Sequence, residues 1–373
     1  MTRLPLVALL AVSALAPTAD AQITLSPFGW TGMMGGAVAF RRSPRRRPRA
    51  RSRRAASRSP RRRPPMRALL VVAALALSAP VRAQLACPEP LPAPFGYDAS
   101  TPLAVTDSLL SVEDGVELWA FSFDSPAGGR ATGVLAVPLA AGPHAGILNL
   151  TGFPVRPEPA RAYAATLARR GAVVALLWSP PVRPDGHGDG SPLTLTPADS
   201  AGQVQYVVDA RRTLDLLAAR PDVDPARLGL VGGSHGGALG ALVAGVEPRI
   251  RAAALRSADG GAVSYVTDPS GPGRPDDVSE AEWDRWIAAM SAIEPACYVG
   301  RATAHLLFLW GRQDRLVSAA RAADLTARLP EGAEVRWYDA GHQLNEQAEA
   351  DRLAWLDRHL GTRPPTSGEH TGH

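Results

Sequence analysis

The sequence predicts a doubly wound α/β fold: a mostly parallel sheet with antiparallel strands at its N-terminal edge. Three observations carry this. From residue 146 to residue 360, short apolar runs alternate with helical patterns of about 10 to 20 residues, the crossover length that parallel strands need. Runs such as Ala172-Val173-Val174-Ala175-Leu176-Leu177 are unbroken, so both faces of the sheet are covered. Upstream, residues 116–123 and 132–137 read as two antiparallel strands joined by a turn over 125–129.

The elements follow in order. Residues 146–150 are a short apolar strand, and 159–170 have helical spacing that stops at Gly171. A buried strand over 172–178 finishes on Trp178. A long helix over 198–219 is entered at Thr196-Pro197 and closed before Pro221. Residues 228–231 form a strand, 235–246 an Ala- and Gly-rich helix, and 250–255 another strand. A helix over 280–291 carries Trp283 and Trp286. Then come a strand over 305–310, a helix over 318–329, a strand over 334–338 and a closing helix over 343–360. No internal repeat is present. In such sheets ligands bind at the carboxyl ends of the strands, so chemistry is sought there.

Charge divides the chain. It has 373 residues, with 40 cations against 35 acids, and every cation is arginine. Sixteen of those arginines and one acid, Asp20, precede Gln84, leaving 24 against 34, about −10, on the remaining 290 residues. The acidic body argues against nucleic acid and anionic membrane surfaces as partners. The basic leader holds two stretches that read as secretory signals, one from Met1 to Ala21 and one from Met66 to Ala83. Neither apolar run approaches the roughly 20 residues that span a bilayer. One chain does not need two export signals. Translation is therefore expected to start at Met66, with residues 1–65 as disordered upstream Arg-, Pro- and Ser-rich sequence. The alternative, an RNA-binding or nuclear arm, is disfavoured because no aromatic residue punctuates the run over 41–63.

The expected organisation is thus a leader over 1–65 and a signal peptide over 66–83. A catalytic domain over 84–360 and a flexible tail over 361–373 follow. The mature chain is expected to be exported after cleavage at Ala83-Gln84. The stretch 257–300 is too long for a plain crossover, and is either a small cap or a surface excursion. Cys87 and Cys297, the only cysteines, form one disulfide or stay as two thiols. A lipoprotein reading of Leu85-Ala86-Cys87 is weakened by Gln84, where an aliphatic residue is usual.

The most specific signal is Gly232-Gly233-Ser234-His235-Gly236, directly after a strand and directly before a helix. That context is what a nucleophile elbow requires. Flanking glycines remove side chains that would collide in the tight turn, and the serine stands at the positive end of a helix.

Here the body resembles serine hydrolases of the α/β-hydrolase superfamily, on its dienelactone-hydrolase, acetyl-xylan-esterase and prolyl-oligopeptidase side. The resemblance is carried by Asp222-Val223-Asp224-Pro225-Ala226-Arg227 leading into the elbow, and by Phe95-Gly96-Tyr97-Asp98 with the edge strands. It spans residues 95–360. It implies a chain order of serine, acid, histidine. His342, in Asp339-Ala340-Gly341-His342 before the last helix, stands where such enzymes place the base. His305 is expected in packing, His359 near a helix end, and His370 and His373 in the tail. Asp314, in Gly311-Arg312-Gln313-Asp314-Arg315-Leu316-Val317, matches the pattern of the acid, with Asp259 as the rival. Asp339 suits a surface role. The oxyanion donors implied are the backbone N–H groups of His235 and Phe153. Leu150-Thr151-Gly152-Phe153-Pro154 carries Thr151 where the resembling loop has histidine.

The expected activity is hydrolysis of a small-molecule carboxylic ester through an acyl-enzyme, with no metal or organic cofactor. Trp178 and Trp310 are expected near the substrate pocket. The loop Gly186-His187-Gly188-Asp189-Gly190 reads as a flexible turn rather than a metal site. Alternatives are a peptidase or amidase, an acyltransferase or thioesterase, and a non-enzymatic binding member of the fold. Only about 30 residues separate Gln84 from the first expected strand, too few for a propeller domain.

Overall fold

A computed structural model of the chain describes residues 87–183 and 193–362. The leader, both signal-like stretches, the 186–190 loop and the tail with His370 and His373 lie outside the described residues.

Among the described residues nine strands form one sheet: β1 (Thr106–Glu113), β2 (Val116–Asp124), β3 (Arg130–Pro138), β4 (His144–Leu150), β5 (Ala172–Leu177), β6 (Val223–Gly233), β7 (Ala252–Arg256), β8 (His305–Gly311) and β9 (Glu334–Tyr338). Their order is β1-β2-β3-β5-β4-β6-β7-β8-β9. The first three strands and the β3–β5 pair are antiparallel. Every pair from β5 through β9 is parallel. This is the fold class expected from the sequence.

Among the described residues eight α-helices cover the sheet: α1 (Pro157–Arg169), α2 (Pro197–Ala218), α3 (His235–Val246), α4 (Ala262–Thr267), α5 (Glu280–Ser291), α6 (Pro295–Tyr298), α7 (Ala319–Thr326) and α8 (Glu346–Leu360). Two apolar cores lie on opposite faces of the sheet. One joins Leu148 and Leu150 of β4 to α2, α3 and α6. The other joins Ala145 and Ile147 of β4 to Ala164 and Leu167 of α1 and to Trp355 and Leu356 of α8. Residues of β4 thus alternate between faces, and both faces are dry, which explains the unbroken apolar runs.

Local chemistry sets the helix ends. Thr196 accepts the Ala198 N–H, and Pro197 opens α2. Ser279 and Glu282 make a reciprocal capping box at α5. Asn345 accepts the Ala348 N–H at 3.1 Å, and α8 ends on Gly361 in the left-handed region (φ 66°).

β1, α4 and α6 were not expected. β1 is the outer edge strand, with Leu109, Leu110 and Val112 about half exposed (49%, 48% and 51%) and an irregular register between Leu109 and Ser111. The 257–300 stretch folds as α4, α5 and α6, and Trp286 of α5 donates its indole N–H to Asp199 on the first turn of α2 at 2.8 Å. Cys87 and Cys297 are joined in a disulfide. Among the described residues no helix is long and apolar enough to cross a membrane.

Candidate active site

Ser234 stands between β6 and α3 with φ 55° and ψ −127°, a conformation that costs a non-glycine residue about 1–3 kcal/mol. The surroundings hold it there. Its N–H donates to the Arg256 carbonyl on β7 at 2.9 Å, and its own carbonyl accepts from Gly237 (2.8 Å) and Ala238 (3.0 Å) in the first turn of α3. The glycines permit the turn. A Cβ on Gly232 would lie 2.3 Å from the Gly236 oxygen, and one on Gly236 would lie 2.3 Å from the Leu150 oxygen and 2.5 Å from that of Thr151. The start of α3 therefore rests on the end of β4.

The loop after β4 leans on the elbow in turn. A Cβ on Gly152 would lie 2.8 Å from the Gly233 oxygen and 3.0 Å from Ser234 Cβ. Phe153 follows directly, on a cis bond to Pro154, and is 38% exposed. His235 occupies the first helical position of α3, where a backbone N–H has no intrahelical acceptor. Burial pushes its imidazole down to about 4, so the ring is neutral near pH 7.

In the loops that follow β8 and β9, His342 Nδ1 and Asp314 Oδ2 are 2.8 Å apart. The Asp314 side chain is fully buried, and its other oxygen accepts the N–H groups of Leu316 (2.8 Å) and Val317 (2.9 Å). Burial works to raise this carboxyl. The His342 bond and the two backbone bonds outweigh it and hold the group below the usual carboxylate value. Asp259, the rival acid, instead accepts the Gly261 N–H at 3.2 Å, and burial pushes it up to about 6. Asp339 is exposed and faces Arg312 at 3.4 Å, a pair worth little in water.

Two residues that the sequence reading passed over tie these parts together. The Arg256 carbonyl anchors Ser234, and the Ser257 hydroxyl donates to the His342 carbonyl at 2.8 Å. Arg256 ends β7 beside the elbow strand and Ser257 follows it, so their place at a carboxyl strand end was the signal available. Trp178 is half-buried at the end of β5, packed on the α1 and α8 side. Trp310 corrects an expectation. It is fully buried, stacks between Phe308 and Trp337, and donates its indole N–H to the Ala258 carbonyl at 2.7 Å. A tryptophan satisfied in this way is a core residue, not a pocket wall. His305 is a second correction: it begins β8 but is exposed, its ring 4.5 Å from that of His359. Among the described residues no group of three or more His, Cys, Asp or Glu converges as a metal site.

The sheet order and the strand–turn–helix elbow are those of the α/β-hydrolase fold. Comparison with known proteins agrees: residues 201–363 match the prolyl oligopeptidase family. No curated protein matches the chain. Among solved structures, it is similar to an acetyl xylan esterase from Paenibacillus sp. R4, with a TM-score of 0.57 at 18% identity over 70% of this chain and 90% of that one. Acetyl xylan esterase 1 from Thermoanaerobacterium sp. JW/SL YS485 gives a TM-score of 0.56 at 18% identity, over 69% of this chain and 89% of that one. An S-formylglutathione hydrolase from Agrobacterium tumefaciens gives 0.51 at 19% identity, over 68% and 99%. What these three share with this chain is the fold. The chain has the α/β-hydrolase fold.

Proposed function

We propose that the protein is a serine hydrolase that cleaves a carboxylic ester through an acyl-enzyme. The observation that carries the reading is the Asp314–His342 hydrogen bond, made between the loops after β8 and β9 at the same end of the sheet as a serine held in elbow geometry. His342 takes the hydroxyl proton as Ser234 Oγ attacks the ester carbonyl. The carbonyl oxygen becomes an oxyanion facing the N–H groups of Phe153 and His235. His342 then gives the proton to the leaving alcohol. It next draws a proton from water, which attacks the acyl-enzyme and releases the acid. Asp314 holds the imidazole in one tautomer and stabilises the imidazolium. The substrate is a small-molecule ester, and no cofactor enters the scheme.

The same reading places the activity outside the reducing cytoplasm. It rests on the signal-like stretch over 66–83 and on the Cys87–Cys297 bond.

The match to the prolyl oligopeptidase family favours one second reading, hydrolysis of an amide. A panel of p-nitrophenyl acetate, an aminoacyl p-nitroanilide and a thioester separates ester, amide and thioester cleavage. The expected result is fastest turnover of the ester, lost in Ser234→Ala. Wild-type turnover by that variant, or no labelling of Ser234 by a fluorophosphonate, overturns the assignment.

A further inference from the structure

On the α1 and α8 side of the sheet, behind the elbow, lies a cavity of about 360 Å³. Arg256 and Leu309 line it from the strand ends, and Gln343, Asn345, Glu349 and Arg352 line it from the His342 loop and α8. The volume falls within the range of small-molecule pockets.

Arg256 is anomalous. Its guanidinium lies against the residue before the serine, since a Cβ on Gly233 would come within 2.9 Å of its Cζ. Among the described residues it makes no side-chain hydrogen bond and no ion pair. Burial, and then the neighbouring Arg352 charge, push its pKa below the usual value. A guanidinium carries five donors in a fixed fork and stays charged, so leaving it half-buried and unpaired is costly.

A second buried arginine, Arg352, lines the same cavity. The Arg352 side chain is only 6% exposed, lies 4.4 Å over the Tyr163 ring and pairs with Glu349, yet its Nε has no acceptor. The Tyr163 hydroxyl is buried without a partner as well. α8, a helix of 15 residues, starts at the cavity and points its positive end there. The carboxylates nearby are Glu349, already engaged by Arg352, and Glu346, which is exposed. Two arginines from two elements, Arg256 at the end of β7 and Arg352 on α8, thus line one cavity next to Gly233 of the elbow.

We propose that Arg256, with Arg352, forms a subsite for a small oxygen anion. Its occupant is a carboxylate carried by the substrate, or a free inorganic anion such as sulfate. A bidentate pair with Arg256 satisfies the fork, and because the guanidinium lies against Gly233, the residue before the serine, a short carbon chain would separate that carboxylate from the ester. The substrate form rests on the serine-hydrolase reading above.

The test has two arms at fixed ionic strength. In the first, kcat/KM is compared for mono-4-nitrophenyl glutarate and 4-nitrophenyl butyrate, which differ by a terminal carboxylate. The native enzyme is expected to favour the glutarate, and Arg256→Met to lower that ratio by about tenfold or more, mainly through KM. In the second, sodium sulfate is titrated calorimetrically into the Ser234→Ala protein and into Ser234→Ala with Arg256→Met. Binding of one sulfate that disappears in the double variant supports the site, whichever ester is preferred. Arg352→Gln repeats both arms in case Arg256→Met fails to fold, as circular dichroism reports. A ratio unmoved by either variant, together with no sulfate binding, overturns the proposal. Because the calorimetric arm needs no turnover, it still decides the matter if no ester is cleaved.

Discussion

The Ser257 hydroxyl donates to the backbone carbonyl of His342 at 2.8 Å, although the two residues lie 85 positions apart. Ser257 is completely buried, and its N–H is bonded to Leu309 on β8. Its neighbour Arg256 bonds the Ser234 N–H. Two consecutive residues therefore register the elbow against the histidine loop. Ser257→Ala strands a buried acceptor, at a cost of roughly 1–3 kcal/mol in stability. It should also lower kcat about three- to tenfold with little change in KM, because an ångström of misplacement is enough to slow such chemistry. Ester kinetics and urea unfolding on one preparation check both.

Asp314→Asn keeps the size of the side chain and removes its charge. The amide can present its NH₂ to His342 and so select the wrong tautomer. The expected loss in kcat is about 10³- to 10⁴-fold, with the fold retained. Asp259→Asn, at the carboxyl that bonds Gly261 rather than His342, should cost far less. Reversal of that order would exchange the two roles.

Gly236→Ala is expected to be worse than an ordinary helix substitution, where alanine normally stabilises. The new methyl would sit 2.3 Å from the Leu150 oxygen, and backbone cannot yield as a side chain end can. A loss of about 1–3 kcal/mol by overpacking is expected, together with reduced fluorophosphonate labelling. Gly202→Ala, where nothing lies within 4 Å, is the control.

His235 gives a pH signature in stability. Its folded-state pKa is depressed to about 4 by burial, below the usual imidazole value of about 6.5. Between those values the unfolded chain takes up a proton that the folded chain refuses. Its contribution is therefore complete above about pH 6.5 and is lost as pH falls toward 4, with a slope near 1.4 kcal/mol per pH unit. His235→Gln should flatten that part of the stability profile measured by denaturant midpoint. An unchanged slope would remove His235 as its source.

The Cys87–Cys297 bond closes a loop of 210 residues. The chain-entropy account gives an upper value of about 5 kcal/mol for so long a loop. Cys87→Ser, changed at the less buried end, is expected to lower the urea midpoint, and dithiothreitol should do the same to the native protein. Equal midpoints with and without reductant would show that the bond adds nothing to stability.

The elements around Ser234 were legible because their constraints are local. The elbow is written in the spacing of Gly232, Ser234 and Gly236, and the covered parallel strands in unbroken apolar runs such as 172–177. α3, α5 and β9 fall where the pattern put them. What escaped depends on partners distant in sequence. β1 was missed because its residues are exposed nearly throughout and show no buried alternation. Trp310 was misread because its partner, the Ala258 carbonyl, is supplied 52 residues upstream. His305 was expected in packing, but the first residue of a parallel strand lies at the rim of the sheet. Arg256 and Ser257 look like unremarkable polar residues until β7 is laid beside β6.

The outermost strand bears on how the protein behaves in a tube. Among the described residues nothing pairs with the outer side of β1, which offers a row of backbone donors and acceptors, and Leu109, Leu110 and Val112 add a greasy rim. The irregular step between Leu109 and Ser111 spoils that edge as a template for a neighbouring molecule. In the sheet order, four strands separate this rim from the strand leading to Ser234. A lysine at position 110 should therefore raise the concentration the protein tolerates without reaching the chemistry, so that colloidal behaviour and turnover can be adjusted separately.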